Sequence, residues 1–130
     1  MAQESKQSSY VRHKTKQAYQ VIIDDLSSIP DVQTWAEEAG VSTRWLSKAM
    51  KKEHGKSPKV LLRKQRYTVL VKCLTEDPEL KSYYLAREIG LSDEKALYKL
   101  LSSYYDTTLT ELRDEIIEKS ANVFTNAEMG

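Results

Sequence analysis

The sequence predicts an all-α fold: seven helices forming two helix-turn-helix units in tandem, joined by a linker helix. Three observations predict it. The composition favours helix, with Ala, Leu, Lys, Glu and Ser dominant and only 4 Gly and 3 Pro in 130 residues. Apolar positions recur at spacings of three and four. A short segment containing glycine recurs after fifty residues. No stretch shows the alternation of a half-buried strand.

The elements follow in order. Val11, Thr15, Ala18, Ile22 and Leu26 make one face of a first helix over about 9–26. It ends before Pro30, whose ring disfavours helical backbone at the preceding residue. Asp31 is a candidate N-cap for a short second helix whose inner face is Val32, Trp35, Ala36 and Ala39. Gly40 then supplies the positive φ of a helix C-terminus. Ser42 caps a third helix over about 43–54, with Leu46, Ala49 and Met50 inward, and Gly55 stops it. Ser57-Pro58 opens a fourth helix, with Pro where its missing N–H costs nothing, running to about residue 74 through Leu61, Leu62, Leu70 and Leu74. A fifth spans about 82–89 with Tyr84, Leu85 and Ile89 inward, ending at Gly90. Ser92 is the expected cap of a sixth over about 93–105, with Leu97, Leu100 and Leu101 in the core. Thr108 and Glu111 form a capping box for the last, with Leu109, Leu112, Ile116 and Ile117 inward to about residue 119. The expected organisation is a disordered tail over 1–8, a first unit over 9–57, a linker helix over 58–75, a second unit over 76–120 and a frayed tail over 121–130.

The repeat gives the units their character. Trp35-Ala-Glu-Glu-Ala-Gly-Val-Ser42 aligns with Leu85-Ala-Arg-Glu-Ile-Gly-Leu-Ser92. Ala36 and Ala86 are small enough for two helices to meet closely. Gly40 and Gly90 permit the turn. Val41 and Leu91 plug the corner, and the serines satisfy free amides at the start of the next helix. The next core residue is Leu46 in the first copy and Leu97 in the second, which therefore has one extra residue. Each copy is a homeodomain-like three-helix unit whose last short helix protrudes and suits the major groove of DNA.

Charge falls unevenly on this plan. Residues 41–74 carry ten Lys/Arg and one acid, a net +9, whereas 1–40 carry −2 and 75–130 carry −6, within a chain of net charge +1. A basic segment centred on a protruding helix is an electrostatic footprint for phosphate. Other classes find little support. The single cysteine, Cys73, excludes a disulfide framework, fits a reducing cytoplasm and reads as a core thiol. No apolar run is long enough to span a membrane, and the polar start has no secretory h-region. His13 and His54 are isolated, without metal-ligand spacing. Phosphate loops and nucleophilic triads are absent, so neither enzyme activity nor a cofactor is expected. The pairs Tyr83-Tyr84 and Tyr104-Tyr105 read as packing for the second unit.

The segment Gly40-Val-Ser-Thr-Arg-Trp-Leu-Ser-Lys-Ala-Met-Lys-Lys-Glu-His-Gly-Lys-Ser-Pro58, the linker through Arg63 and Arg66, and the second copy with its longer spacing resemble the DNA-binding domain of the AraC/XylS family of bacterial transcription regulators over about residues 9–115. The chain is similar to the short stand-alone members. It departs from the pattern at Asp106, where Gly is usual, at Leu109, where Pro is usual, and at Leu91, Leu97 and Leu101, which replace aromatics. The resemblance implies base contacts by Arg44, Trp45, Ser47 and Lys48 on the first recognition helix and by Lys95, Tyr98 and Lys99 on the second. Arg44 and Lys48 suit guanine. Ser42, Lys51, Lys52, Lys56 and Lys59 are candidate phosphate contacts, which position without specifying.

A linker helix of about 17 residues spans roughly 25 Å at 1.5 Å per residue. The recognition helices would then stand about one DNA turn apart, roughly 34 Å. The expected partner is double-stranded DNA, bound by a monomer in the cytoplasm at the nucleoid. The acidic second half gives RNA polymerase or another regulator protein as a second class of partner. Asp93 and Glu94 begin the second recognition helix, where they favour the helix dipole but meet phosphate unfavourably, and the +9 against −6 split makes the first unit the expected dominant binder. The alternative is a degenerate regulator domain that holds a protein through its acidic half.

Overall fold

The computed structural model describes the backbone of residues 2–129 and the side chains of residues 9–121. Among the described residues there are seven α-helices and no strand: α1 Ala2–Asp24, α2 Val32–Ala39, α3 Thr43–His54, α4 Pro58–Glu76, α5 Ser82–Glu88, α6 Glu94–Tyr104 and α7 Leu109–Met129. A short 3₁₀ turn, Leu26–Ser28, follows α1. The tails expected at 1–8 and 121–130 lie, Ala121 apart, outside the residues whose side chains are described. The chain divides after Gln65 into two compact units, so α4 begins in the first and ends in the second.

In the first unit α1, α2 and α3 pack on one another. Thr15, Ala18, Ile22 and Leu26 of the first stripe are buried, together with Ile29, Trp35, Ala36, Leu46, Ala49 and Met50. Val11, expected on the same face, is exposed, because the stripe turns outward one turn above Thr15. Trp35 fixes the arrangement. It is fully buried, and its indole N–H donates to the Ala18 carbonyl at 2.7 Å, tying α2 to α1. The buried Thr15 hydroxyl donates to the Val11 carbonyl at 2.7 Å. The caps act as the sequence implies: Asp31 accepts from Thr34 N–H at 2.8 Å, and Ser42 from Trp45 N–H at 3.0 Å. Gly40 and Gly55 close α2 and α3 at φ 72° and 70°.

In the second unit Leu70 and Leu74 of α4, Leu85, Ala86 and Ile89, then Leu97, Leu100 and Leu101, and Leu109, Leu112 and Ile116 form the core. Arg66 is also buried, and its guanidinium donates to the Ile89 carbonyl at the end of α5. A carbonyl left over at a helix terminus thus gains a charged donor. Arg113 of α7 donates to the Pro78 and Leu80 carbonyls at 3.2 and 2.6 Å, holding the loop between α4 and α5. Among the described residues no buried side-chain nitrogen or oxygen lacks a partner.

Four expectations need correction here. The cap of α6 is Asp93, not Ser92: Asp93 accepts from Ala96 N–H at 2.8 Å, while Ser92 is exposed. Tyr83, Tyr84 and Tyr104 are about half exposed rather than packed, since Leu85, Ala86 and Leu101 already fill the inner positions. Tyr105 does pack, stacked on Tyr67 with ring centroids 3.8 Å apart. Ile117 is 49% exposed, one position past the buried Ile116. The capping box of α7 is half made. Thr108 Oγ accepts from Glu111 N–H at 3.2 Å, but the Glu111 carboxylate accepts from the Thr107 hydroxyl at 3.3 Å.

Candidate nucleic-acid interface

The correct cap restores an internal register. Ser42 precedes the buried Leu46 by four residues, and Asp93 precedes the buried Leu97 by four. From cap onward the units are therefore related by fifty-one residues rather than fifty. Arg44 matches Lys95, Ser47 matches Tyr98, Lys48 matches Lys99, and Gly55 matches Asp106. The extra residue lies in the turn, and the helix after it keeps the same phase.

On α3 the inner face is Leu46, Ala49 and Met50, all buried. The outer face carries Arg44, Lys48 and Lys51, exposed, with Ser47 half-buried between them. The spacings of three and four that put three residues inside put these four outside. Lys52, Lys56 and Lys59, near the end of α3 and the start of α4, are exposed, as is Ser42 at the cap. Among the described residues no carboxylate lies within 4.0 Å of Arg44, Lys48, Lys51, Lys52, Lys56 or Lys59. This half of the surface is a band of cations free to meet an anion.

Trp45 is half-buried in the first turn of α3, and the Lys14 ammonium of α1 sits 4.9 Å from its ring centroid. An ammonium over an indole face is attracted by the ring quadrupole. Lys14 thus brings α1 to the border of the basic face, a placement the sequence gives no sign of. At the far end of α3, His54 stacks on Tyr19 of α1 with centroids 4.6 Å apart.

The corresponding face of α6 is Lys95, Tyr98, Lys99 and Ser102, all exposed, opposite the buried Leu97, Leu100 and Leu101. It borders an open groove of about 800 Å³, walled on the other side by the first turn of α7 with Thr108, Thr110 and Arg113. Its chemistry differs from that of α3. Glu94 accepts from the Ser82 hydroxyl at 2.6 Å and from the Tyr98 hydroxyl at 3.2 Å. Glu111, Asp114, Glu115 and Glu118 are exposed along α7. The sequence names Lys95, Tyr98 and Lys99 but does not disclose the link from Tyr98 to Ser82 on another helix.

Cys73, read from sequence as a core thiol, is half-buried on α4. Burial first, then the Glu88 and Glu76 carboxylates, push its thiol up, against a smaller downward pull from Lys72. A thiol so placed is a poor nucleophile at neutral pH. Among the described residues no three His, Cys, Asp or Glu side chains are grouped to hold a metal ion. No described helix is long and apolar enough to cross a membrane.

Among solved structures, the C-terminal domain of AraT, a response regulator from Geobacillus stearothermophilus, is similar in fold. The TM-score is 0.69 at 24% sequence identity, over 78% of this chain and 84% of that one. The likeness shows the fold. No protein-family model and no curated protein sequence matches the chain.

Proposed function

We propose that this chain is a sequence-specific, double-stranded DNA-binding transcription regulator of the AraC/XylS kind, acting in the bacterial cytoplasm at the nucleoid. It inserts α3 and, with less affinity, α6 into the major groove. The observation that carries the reading is the α3 face. A capped helix exposes Arg44, Lys48 and Lys51 on one side while its other side is buried, and among the described residues no carboxylate lies within 4.0 Å of these cations. Such a helix matches the width of the major groove and the charge of its walls.

In this reading Arg44, Trp45, Ser47 and Lys48 face base edges, and Ser42, Lys51, Lys52, Lys56 and Lys59 hold phosphates. Lys95, Tyr98 and Lys99 make the weaker second reading. The chain binds as a monomer and needs no cofactor, and no catalytic role is assigned. The dominance of the first unit rests on the +9 of residues 41–74 against the −6 of residues 75–130. The test compares Lys48→Ala with Lys99→Ala on a selected duplex. Loss of one good base contact costs about 1–3 kcal/mol, so Lys48→Ala weakens specific binding by roughly 5- to 150-fold. Lys99→Ala has a smaller effect, and equal losses refute the asymmetry.

A second reading is favoured by one observation, the exposed acidic row Glu111, Asp114, Glu115 and Glu118 on α7. In it the second unit holds a basic protein surface, on RNA polymerase or another regulator. DNA binding that is weak and insensitive to salt would favour it over the first.

A further inference from the structure

The start of α6 carries a hydrogen-bonded trio whose counterpart on α3 has different chemistry. Glu94 Oε2 accepts from Ser82 Oγ at 2.6 Å and lies 3.2 Å from the Tyr98 hydroxyl, which is also 3.2 Å from Ser82 Oγ. Fifty-one residues earlier stand Thr43 and Ser47, neither a carboxylate nor a phenol. The trio uses the groups by which this end of α6 would otherwise read a base. Glu94 Oε2 accepts from the Ser82 hydroxyl, with the Tyr98 hydroxyl 3.2 Å away, so this carboxylate oxygen is engaged within the protein. The single proton of the Tyr98 hydroxyl is directed at Ser82 or Glu94.

With its proton held inside the protein, Tyr98 offers DNA no donor, and its largest free surface is its ring. The residue is 47% exposed, and it lines the groove between Lys95 and Lys99. Two ammonium groups flanking an aromatic ring suit a surface where phosphates stand beside one apolar group. In the major groove that group is the C5-methyl of thymine.

We propose that Ser82 and Glu94 are positioning residues that hold the Tyr98 hydroxyl within the protein, so that Tyr98 selects thymine through apolar contact between its ring and the C5-methyl group. This rests on the DNA-reading function proposed above, and it deepens that reading at the second unit. The carboxylate that looks unfavourable next to DNA then has a purpose: it turns a hydrogen-bonding side chain into an apolar reader.

The experiment uses the full chain and the duplex it selects from a random pool. Each thymine is replaced singly by deoxyuridine, which removes only the methyl. Burying a methyl is worth about fourfold in affinity. One replacement in the second segment therefore weakens the wild type by about fourfold. Tyr98→Phe, which keeps the ring, shows the same fourfold penalty, and Tyr98→Ala shows none. Ser82→Ala with Glu94→Ala releases the hydroxyl and lowers the thymine preference toward one, with the first-segment profile unchanged and the helical circular dichroism retained. Ser82→Thr with Glu94→Gln restores the preference. If no thymine of the second segment depends on its methyl, or if Tyr98→Phe changes the preferred base, the inference is wrong while DNA reading by α3 stands. If no duplex is selected at all, the inference and the proposed function fall together.

Discussion

Asp106 closes α6 at φ 48°, where Gly55 closes α3 at φ 70°. A side chain with a Cβ pays about 1–2 kcal/mol in the left-handed region, with Asp near the lower end because its carboxylate can bond locally. Glycine escapes this but gives up about 0.5–1 kcal/mol of backbone entropy. The exposed Asp106 side chain has little packing to lose, and the 3.3 Å bond from Thr107 N–H to the Leu101 carbonyl uses only backbone atoms that a glycine at 106 retains. Taking about 1 kcal/mol of strain against about 0.5 kcal/mol of entropy, Asp106→Gly should stabilise the second unit by about 0.5 kcal/mol. A cooperative unit of this size shifts in Tm by roughly 4–8 °C per kcal/mol, so the rise is about 2–4 °C. Asp106→Ala loses the local tolerance without gaining freedom, and its Tm falls. Thermal unfolding followed by circular dichroism gives the order Gly above Asp above Ala. An Ala variant as stable as the Gly variant would refute the argument, because strain at φ 48° would then not set the stability of this turn.

Three further outcomes are expected. Trp35→Phe removes the donor to the Ala18 carbonyl and leaves a void beside a fully buried ring. It should cost about 2–3 kcal/mol in denaturant unfolding, and a loss under 0.5 kcal/mol would show that the bolt between α1 and α2 is dispensable. The Cys73 thiol, held up by burial and by Glu88 and Glu76, should alkylate slowly at pH 7, with the rate climbing only above the ordinary thiol range. Glu88→Gln removes a charge that disfavours the thiolate and moves that midpoint down; a wild-type midpoint at or below that of free cysteine contradicts the assignment. Lys51→Ala should lower affinity about equally for every DNA sequence and reduce the log–log salt slope by about 0.9, the value for one phosphate contact. A change in base preference instead would place Lys51 among the readers.

The sequence carries the helices, their caps and their glycines because those signals are local. Asp31, Ser42, Gly40 and Gly55 each act within four residues of where they stand. The exception is instructive. Ser92 matches Ser42 by residue type, but Asp93 is in phase with Leu97, and the core position decides which of two adjacent capping residues is used. Burial follows the same logic. Ile22, Leu46 and Leu101 point into a unit's core and are buried, whereas Val11 and Ile117 are 38% and 49% exposed. The α3 face was legible for the same reason, since its exposed residues are the complement of its buried ones. What was not legible joins distant residues: Lys14 over Trp45, Arg66 on the Ile89 carbonyl, and Ser82 on Glu94 and Tyr98. Each depends on how helices pack, which no spacing within one helix encodes.

The proposed function turns on α3 reading DNA sequence. Selection of bound duplexes from a random pool by the purified chain, repeated at raised salt, tests it most directly. Four lysine–phosphate contacts, from Lys51, Lys52, Lys56 and Lys59, predict a log–log slope of about −3.6 at roughly −0.9 per contact. The proposed function predicts a strongly enriched box read by the first unit, a weaker second box, and binding that falls on that slope. A pool with no enriched sequence, or binding indifferent to salt, would contradict it.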